Sequence, residues 1–277
     1  MGKGTLVKRT LSGILFCAVL IGCLLVPVGT LVLVCALAVL ISFEFYRMTV
    51  DRRYRKEEIC LTLGSVATLA LIFSHLQWGL DLRYALLGFL PVTAASVLLL
   101  FDAARDHDFP AAVYFPLIYA ALPLAALLLL AYPGGVFSWR LTLGLFVLLW
   151  LNDIGAYLVG MSLGQRPDSR KLFPALSPKK SWVGVFGGTA FTFLAAWAVH
   201  ATFGAAVLPL GHWMALALIV SLFGVPGDLF ESLIKRHAQV KDAGNLIPGH
   251  GGVLDRFDDV LFVAPLVLLY LKLCSLL

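Results

Sequence analysis

Nine apolar runs of 16–22 residues fill this 277-residue chain and are joined by short polar links. They are Leu11–Val26, Val28–Tyr46, Ile59–Leu76, Leu82–Phe101, Ala112–Tyr132, Ser138–Val159, Trp182–Thr202, His212–Leu233 and Val260–Leu276. As a helix, about 20 such residues cross the hydrocarbon core of a bilayer. Hydrophobic residues make up 60% of the chain and charged ones only 13%, whereas soluble domains carry roughly 25% charge. Apolar surface in that amount, spread along the whole chain, exceeds what one core can bury, so lipid must be a second solvent. In lipid, backbone N–H and C=O groups must bond within their own segment. The runs therefore predict an all-α, polytopic transmembrane protein with about nine spans. The first run is short and meets the second through Pro27 and Gly29, which predicts an outer helical hairpin. Its basic and then apolar start has the look of a secretory leader. No small-residue cleavage site is convincing and a second run begins at once, so it reads as a retained span.

Lysine and arginine set the orientation. One set of alternate links holds eighteen of the 21: Lys3, Lys8 and Arg9; Arg47, Arg52, Arg53, Arg55 and Lys56; Arg105; Arg166, Arg170, Lys171, Lys179 and Lys180; Lys235, Arg236, Lys241 and Arg256. The other set holds Arg83, Arg140 and Lys272. Cytoplasmic links carry the basic excess, so the N-terminus is expected in the cytoplasm and the C-terminus outside. The net charge of +5 belongs to these anchoring clusters, not to a nucleic-acid-binding face. Five cysteines lie in or beside the apolar runs without metal-ligand spacing and read as small packed hydrophobes. Residues 1–150 read as apolar scaffold and residues 151–277 as the catalytic region of one integral unit. The two longest polar links, Gly160–Ser181 and Arg236–Asp259, both fall in that second part.

A charge at membrane depth costs about 2.5–3.5 kcal/mol on insertion scales, so each one present needs a reason. In the eighth run Gly224-Val225-Pro226-Gly227 is expected to interrupt or kink the helix, because proline lacks a donor and clashes one turn back. Beyond it Asp228, Glu231, Ser232 and Lys235 fall at i, i+3, i+4 and i+7 and share one helical face. Next come Lys241-Asp242, Pro248-Gly249-His250-Gly251-Gly252 and Asp255-Arg256-Phe257-Asp258-Asp259. Glycines around a histidine let backbone N–H groups approach an anion. Clustered carboxylates (Asp255, Asp258, Asp259) suit Mg²⁺, which takes one or two carboxylates plus phosphates and water; an N-cap is the plainer reading of Asp258 or Asp259. Asp153 lies inside the sixth run and must face protein or water. Lys179 and Lys180, between Ser177 and Ser181, could hold a triphosphate or simply anchor the seventh span. Together these parts are the inventory of phosphoryl or nucleotidyl transfer.

Ser232-Leu233-Ile234-Lys235-Arg236, Lys241-Asp242, Pro248-Gly249-His250-Gly251-Gly252 and Leu254-Asp255-Arg256-Phe257-Asp258 resemble the signature of the phosphatidate cytidylyltransferases, the CDP-diacylglycerol synthases. Ser177-Pro178-Lys179-Lys180-Ser181-Trp182 and Asp153-Ile154-Gly155-Ala156-Tyr157 are similar to the same family, and the likeness covers about Asn152 to Asp259. Val183 stands where many relatives have Glu, and Ile154 where Thr is frequent. The resemblance implies transfer of the cytidylyl group of CTP to phosphatidic acid with Mg²⁺, at one or two ions, in a bacterial inner membrane with the site facing the cytoplasm. By position it implies Asp228 and Asp255 as metal ligands, supported by Asp258 or Asp259. Ser232, Lys235 and Arg236 would meet phosphates. Lys179, Lys180, Lys241, Gly251, Gly252 and Arg256 would line the substrates. His250 would be structural or phosphate-contacting and not a base. Asp153 and Glu231 are further candidates, and the family suggests a homodimer. The rival reading is a CTP-dependent polyprenol-type lipid kinase, which should lack the Lys-Asp…His-Gly-Gly…Asp-Arg segment.

Overall fold

The computed structural model describes residues 3–106, 111–166, 169–249 and 251–277. Its helices in chain order are α1 (Lys3–Leu24), α2 (Pro27–Thr49), α3 (Arg55–Trp78), α4 (Phe89–Asp106), α5 (Leu122–Leu130), α6 (Trp139–Ser162), α7 (Trp182–Phe203), α8 (Leu210–His237) and α9 (Leu254–Leu273). The protein is a polytopic helical membrane protein. Among the described residues seven segments are long and apolar enough to cross a bilayer, from Pro27–Thr49 through Leu210–His237. The apolar part of α1, Thr10–Leu24, is shorter. The first turns of α9 carry Asp255, Arg256, Asp258 and Asp259, and its apolar stretch follows them.

Two irregular entries reflect local chemistry. Residues Leu82–Gly88 form a 3₁₀ turn before α4. A π turn over Leu117–Ala121 leads into α5, which carries Pro123 in its first turn. A wider turn removes the contact between the proline ring and the preceding carbonyl.

The chain packs as two compact units. The first comprises Met1–Phe137 with Asp242–Arg256; the second comprises Ser138–Lys241 with Phe257–Leu276. In the first, Leu33, Val34, Leu37 and Ile41 of α2 are buried. Tyr54, Leu61, Ala95, Leu99 and Val113 form a cluster beside the link into α3. In the second, α6 and α7 lie backbone to backbone. A Cβ on Gly187 would overlap the Val159 side chain, and one on Gly155 would overlap Phe191. Small residues at such a seam are what close helix approach in lipid requires.

The polar link after α6 is folded. Strands β1 (Lys171–Phe173) and β2 (Ser177–Ser181) pair antiparallel, with Lys171 opposite Ser181 and Phe173 opposite Ser177. Ser181 then caps α7, its Oγ accepting from the Gly184 N–H at 3.2 Å. Of the expected interruption or kink at Pro226, the interruption does not occur: α8 is continuous over 28 residues with Pro226 inside it. Proline removes one intrahelical bond, and tertiary packing outweighs that loss here. Gly227, the next residue, lies against the Asp258 carbonyl and the Phe262 side chain of α9, so closely that a Cβ would not fit.

Candidate active site

In the second unit, α8 and α9 bring three carboxylates together. One oxygen from each of Asp228, Glu231 and Asp258 lies within 4.8 Å of the others. The i, i+3 spacing sets Asp228 and Glu231 on one face of α8, with Ser232 and Lys235 beside them. Glu231 is 1% exposed and Asp258 is buried. Two unit charges at that separation repel by about 3 kcal/mol at an effective dielectric near 20, so the group demands cations. Two lysines answer that demand. Lys180 of β2 pairs with Asp228, and Lys235 pairs with Glu231 one turn earlier on α8. The Ser232 hydroxyl donates weakly to Asp228 Oδ1 at 3.4 Å. Ahead of the apolar stretch of α9, burial pushes the Asp258 carboxyl well above the usual range, and the charges of Asp259, Asp228 and Asp153 add to it.

Asp153 is exposed, and its charge acts on both Asp258 and Asp259. Its neighbour Asn152 is buried and accepts from the Thr192 hydroxyl at 3.1 Å, tying α6 to α7. Asp259 is buried as well, and its Oδ1 accepts from the Val260 N–H at 2.6 Å. The polar pair found in the sixth run thus divides into one helix-locking amide and one acid that contributes to the site's field.

In the first unit, the Gly-rich loop has a different organisation. The Asp255 carboxylate accepts from the Ala243 N–H at 3.0 Å and from the Gly252 N–H at 2.7 Å. It lies so close to Gly251, which has φ +86°, that a side chain there would collide with it. A second carboxylate holds the same loop. Glu44, near the end of α2 and only 2% exposed, accepts from the Val253 N–H at 2.9 Å and the Leu254 N–H at 2.8 Å. Gly244 and Gly252 abut its oxygens, and the Ser12 hydroxyl of α1 donates to the Pro248 carbonyl at 2.9 Å. Sequence reasoning passed over Glu44, yet its signal was present: a carboxylate inside an apolar run, where charge requires a partner.

The remaining expected residues are placed as follows. Lys179, Arg236, Lys241 and Arg256 are exposed, and Arg236 donates to the Val240 carbonyl at 3.1 Å. His250 lies outside the described residues. Asp255 is not in the three-carboxylate group; Glu231 is. The oxygen donors of Asp228, Glu231 and Asp258 are the hard ligands that Mg²⁺ selects. Their spacing lets small side-chain movements reach Mg²⁺–O bonds of about 2.1 Å.

A trio of acids flanked by lysines can hold a divalent cation, and the chain's likeness to known proteins points to a phosphate-handling family. The phosphatidate cytidylyltransferase of Bacillus subtilis strain 168 is 44% identical over 129 residues, 47% of this chain and 46% of that protein. The enzyme of that name from Staphylococcus epidermidis is 42% identical over 130 residues, 46% of this chain and 47% of the relative. That from Staphylococcus aureus strain COL is 44% identical over 124 residues, 44% of this chain and 45% of the relative. The matched stretches thus span about half the length of these curated relatives. The model of the cytidylyltransferase family reaches further, matching residues 7–274 and so both compact units. With nearly its whole length matched, the chain belongs to the cytidylyltransferase family.

Proposed function

We propose that this protein transfers the cytidylyl group of CTP to phosphatidic acid, giving CDP-diacylglycerol and pyrophosphate. The observation that carries the reading is the Asp228–Glu231–Asp258 group with Lys180 and Lys235 on it, in a chain of this family. A phosphate oxygen of phosphatidic acid attacks the α-phosphorus of CTP. The bond from the α-phosphorus to its bridging oxygen breaks, and pyrophosphate leaves with the electron pair. The nucleophile is already an anion, so no side chain has to take up a proton.

Asp228, Glu231 and Asp258 would hold Mg²⁺. Bound there, the ion would supply positive charge against the phosphate oxygens. Lys180 and Lys235 pair with two of those carboxylates, and either can turn its ammonium to a phosphate once the carboxylate is engaged. The Ser232 hydroxyl, beside Asp228, supplies a neutral donor. Glu44 and Asp255 hold the Gly-rich loop by amides of its own backbone. CTP is a cytoplasmic nucleotide and the basic links are expected on that side, so the site faces the cytoplasm of a bacterial inner membrane. Building the enzyme from membrane helices leaves the acyl chains of the substrate in lipid throughout.

The test uses CTP labelled at the α- or the γ-phosphate, with phosphatidic acid and the purified protein. Label from the α-position is expected in lipid. Lipid labelled only from the γ-position would assign a kinase instead, and no label from either position would refute both.

A further inference from the structure

The ends of α2 and α3 that meet at the link Val50–Tyr54 enclose a cavity of about 700 Å³. Its walls follow a simple rule of helix geometry. On α2, Val39, Phe43 and Arg47 recur every four residues; on α3, Arg55, Ile59 and Leu63 do the same, and all six line the cavity. Residues four apart stand on one face, about 6 Å apart along the axis. Because consecutive spanning helices must reverse direction, the two stripes run side by side. Each has arginine at the link end and apolar residues for about 12 Å beyond it. Arg52 joins the two arginines at the mouth, where Glu58 is the one carboxylate among the lining residues. Phe43 and Ile59 are 54% and 52% exposed, so the apolar stripes stand open.

We infer that this cavity is a binding slot for one anionic phospholipid, its phosphate held by Arg47, Arg52 and Arg55 and an acyl chain laid along the two stripes. The chemistry selects that occupant over others. A water-soluble anion would satisfy the guanidinium groups and leave two turns of apolar wall uncovered. A neutral hydrocarbon would cover the wall and leave three cations facing one carboxylate. An anionic lipid matches both ends, since guanidinium forks bind phosphate oxygens in pairs. A zwitterionic lipid brings its own cation to a mouth that already has excess positive charge. The slot is separate from the proposed transfer reaction and requires no turnover to be detected.

The test is native mass spectrometry of the protein in mixed micelles of phosphatidylglycerol and phosphatidylcholine, without phosphatidic acid, the proposed substrate. The wild type is expected to retain one phosphatidylglycerol molecule in preference to phosphatidylcholine. Arg47→Gln with Arg55→Gln should reduce that adduct by roughly tenfold or more. Ile59→Trp should reduce it similarly with every charge in place, by filling the slot. Arg53→Gln is the control: it removes the same charge from the same link, but Arg53 lies over the Tyr54 ring and does not line the cavity. Equal retention of phosphatidylcholine would overturn the slot. So would a loss in Arg53→Gln as large as in the paired variant, which would mean general attraction to a basic link, or full retention in Ile59→Trp. If the paired arginine variant fails to fold, the tryptophan and control variants decide the question alone.

Discussion

Lys180 and Lys235 sit on two of the three clustered carboxylates, so in the proposed reaction the same cations that keep the acids compatible would meet an incoming phosphate. Removing one acid should therefore weaken metal binding without unfolding the site. Asp228→Asn is expected to lower turnover by on the order of 10²–10³ and to raise the Mg²⁺ concentration needed for half-maximal rate, read from a metal titration of the detergent-purified protein. An unchanged titration midpoint would remove Asp228 from the metal set. Glu44 acts at a different point. Glu44→Gln puts an amide N–H against a backbone N–H that now has an acceptor, and leaving such a buried donor unmet costs about 1–3 kcal/mol. Faster hydrogen exchange confined to residues 242–256 is the expected outcome, whatever reaction is assayed. Asp255→Asn should show the same exchange signature, because its carboxylate also accepts from two amides of that loop. Exchange as slow as in the wild type would make the two bonds dispensable.

At the level of elements, the α6–α7 seam and the cap of α7 control where Lys180 stands. The helices approach through glycine, and Gly187→Leu would drive a side chain into Val159. Overpacking of that kind costs about 1–3 kcal/mol, and a lowered thermal midpoint in detergent checks it. A midpoint equal to the wild type would show that the seam can open without cost. The proline of α8 carries a lesson about prediction from pattern. Gly224-Val225-Pro226-Gly227 has the composition of a helix break, and the helix continues through it, because the close packing of Gly227 on α9 is a tertiary contact that no local propensity contains. The β1–β2 hairpin was likewise illegible in a polar, basic link, since strands of three and five residues leave little period to detect.

For the whole molecule, the Lys and Arg asymmetry predicts an orientation that can be measured. A cysteine placed at exposed Arg166 in a cysteine-free background should react with a membrane-impermeant thiol reagent only after the cytoplasmic face is opened, and one at Gly134 should react in intact cells. The opposite pattern would invert the topology. The membrane class, the approximate positions of the seven long apolar segments and the face of α8 bearing Asp228, Glu231, Ser232 and Lys235 were legible in the sequence, because apolar run length and helical period are local properties of the chain. The family was legible too, in the spaced residues from Asn152 to Asp259. What tertiary structure alone decided was partnership among distant residues. It set Asp258 of α9 beside Asp228 and Glu231, and it gave Asp255 to the amides of its own loop. It also brought Glu44, about 200 residues earlier in the chain, to the start of α9. A buried carboxylate must find donors or cations somewhere, and the sequence displays that need; which groups meet it depends on how the helices pack, which no single segment encodes.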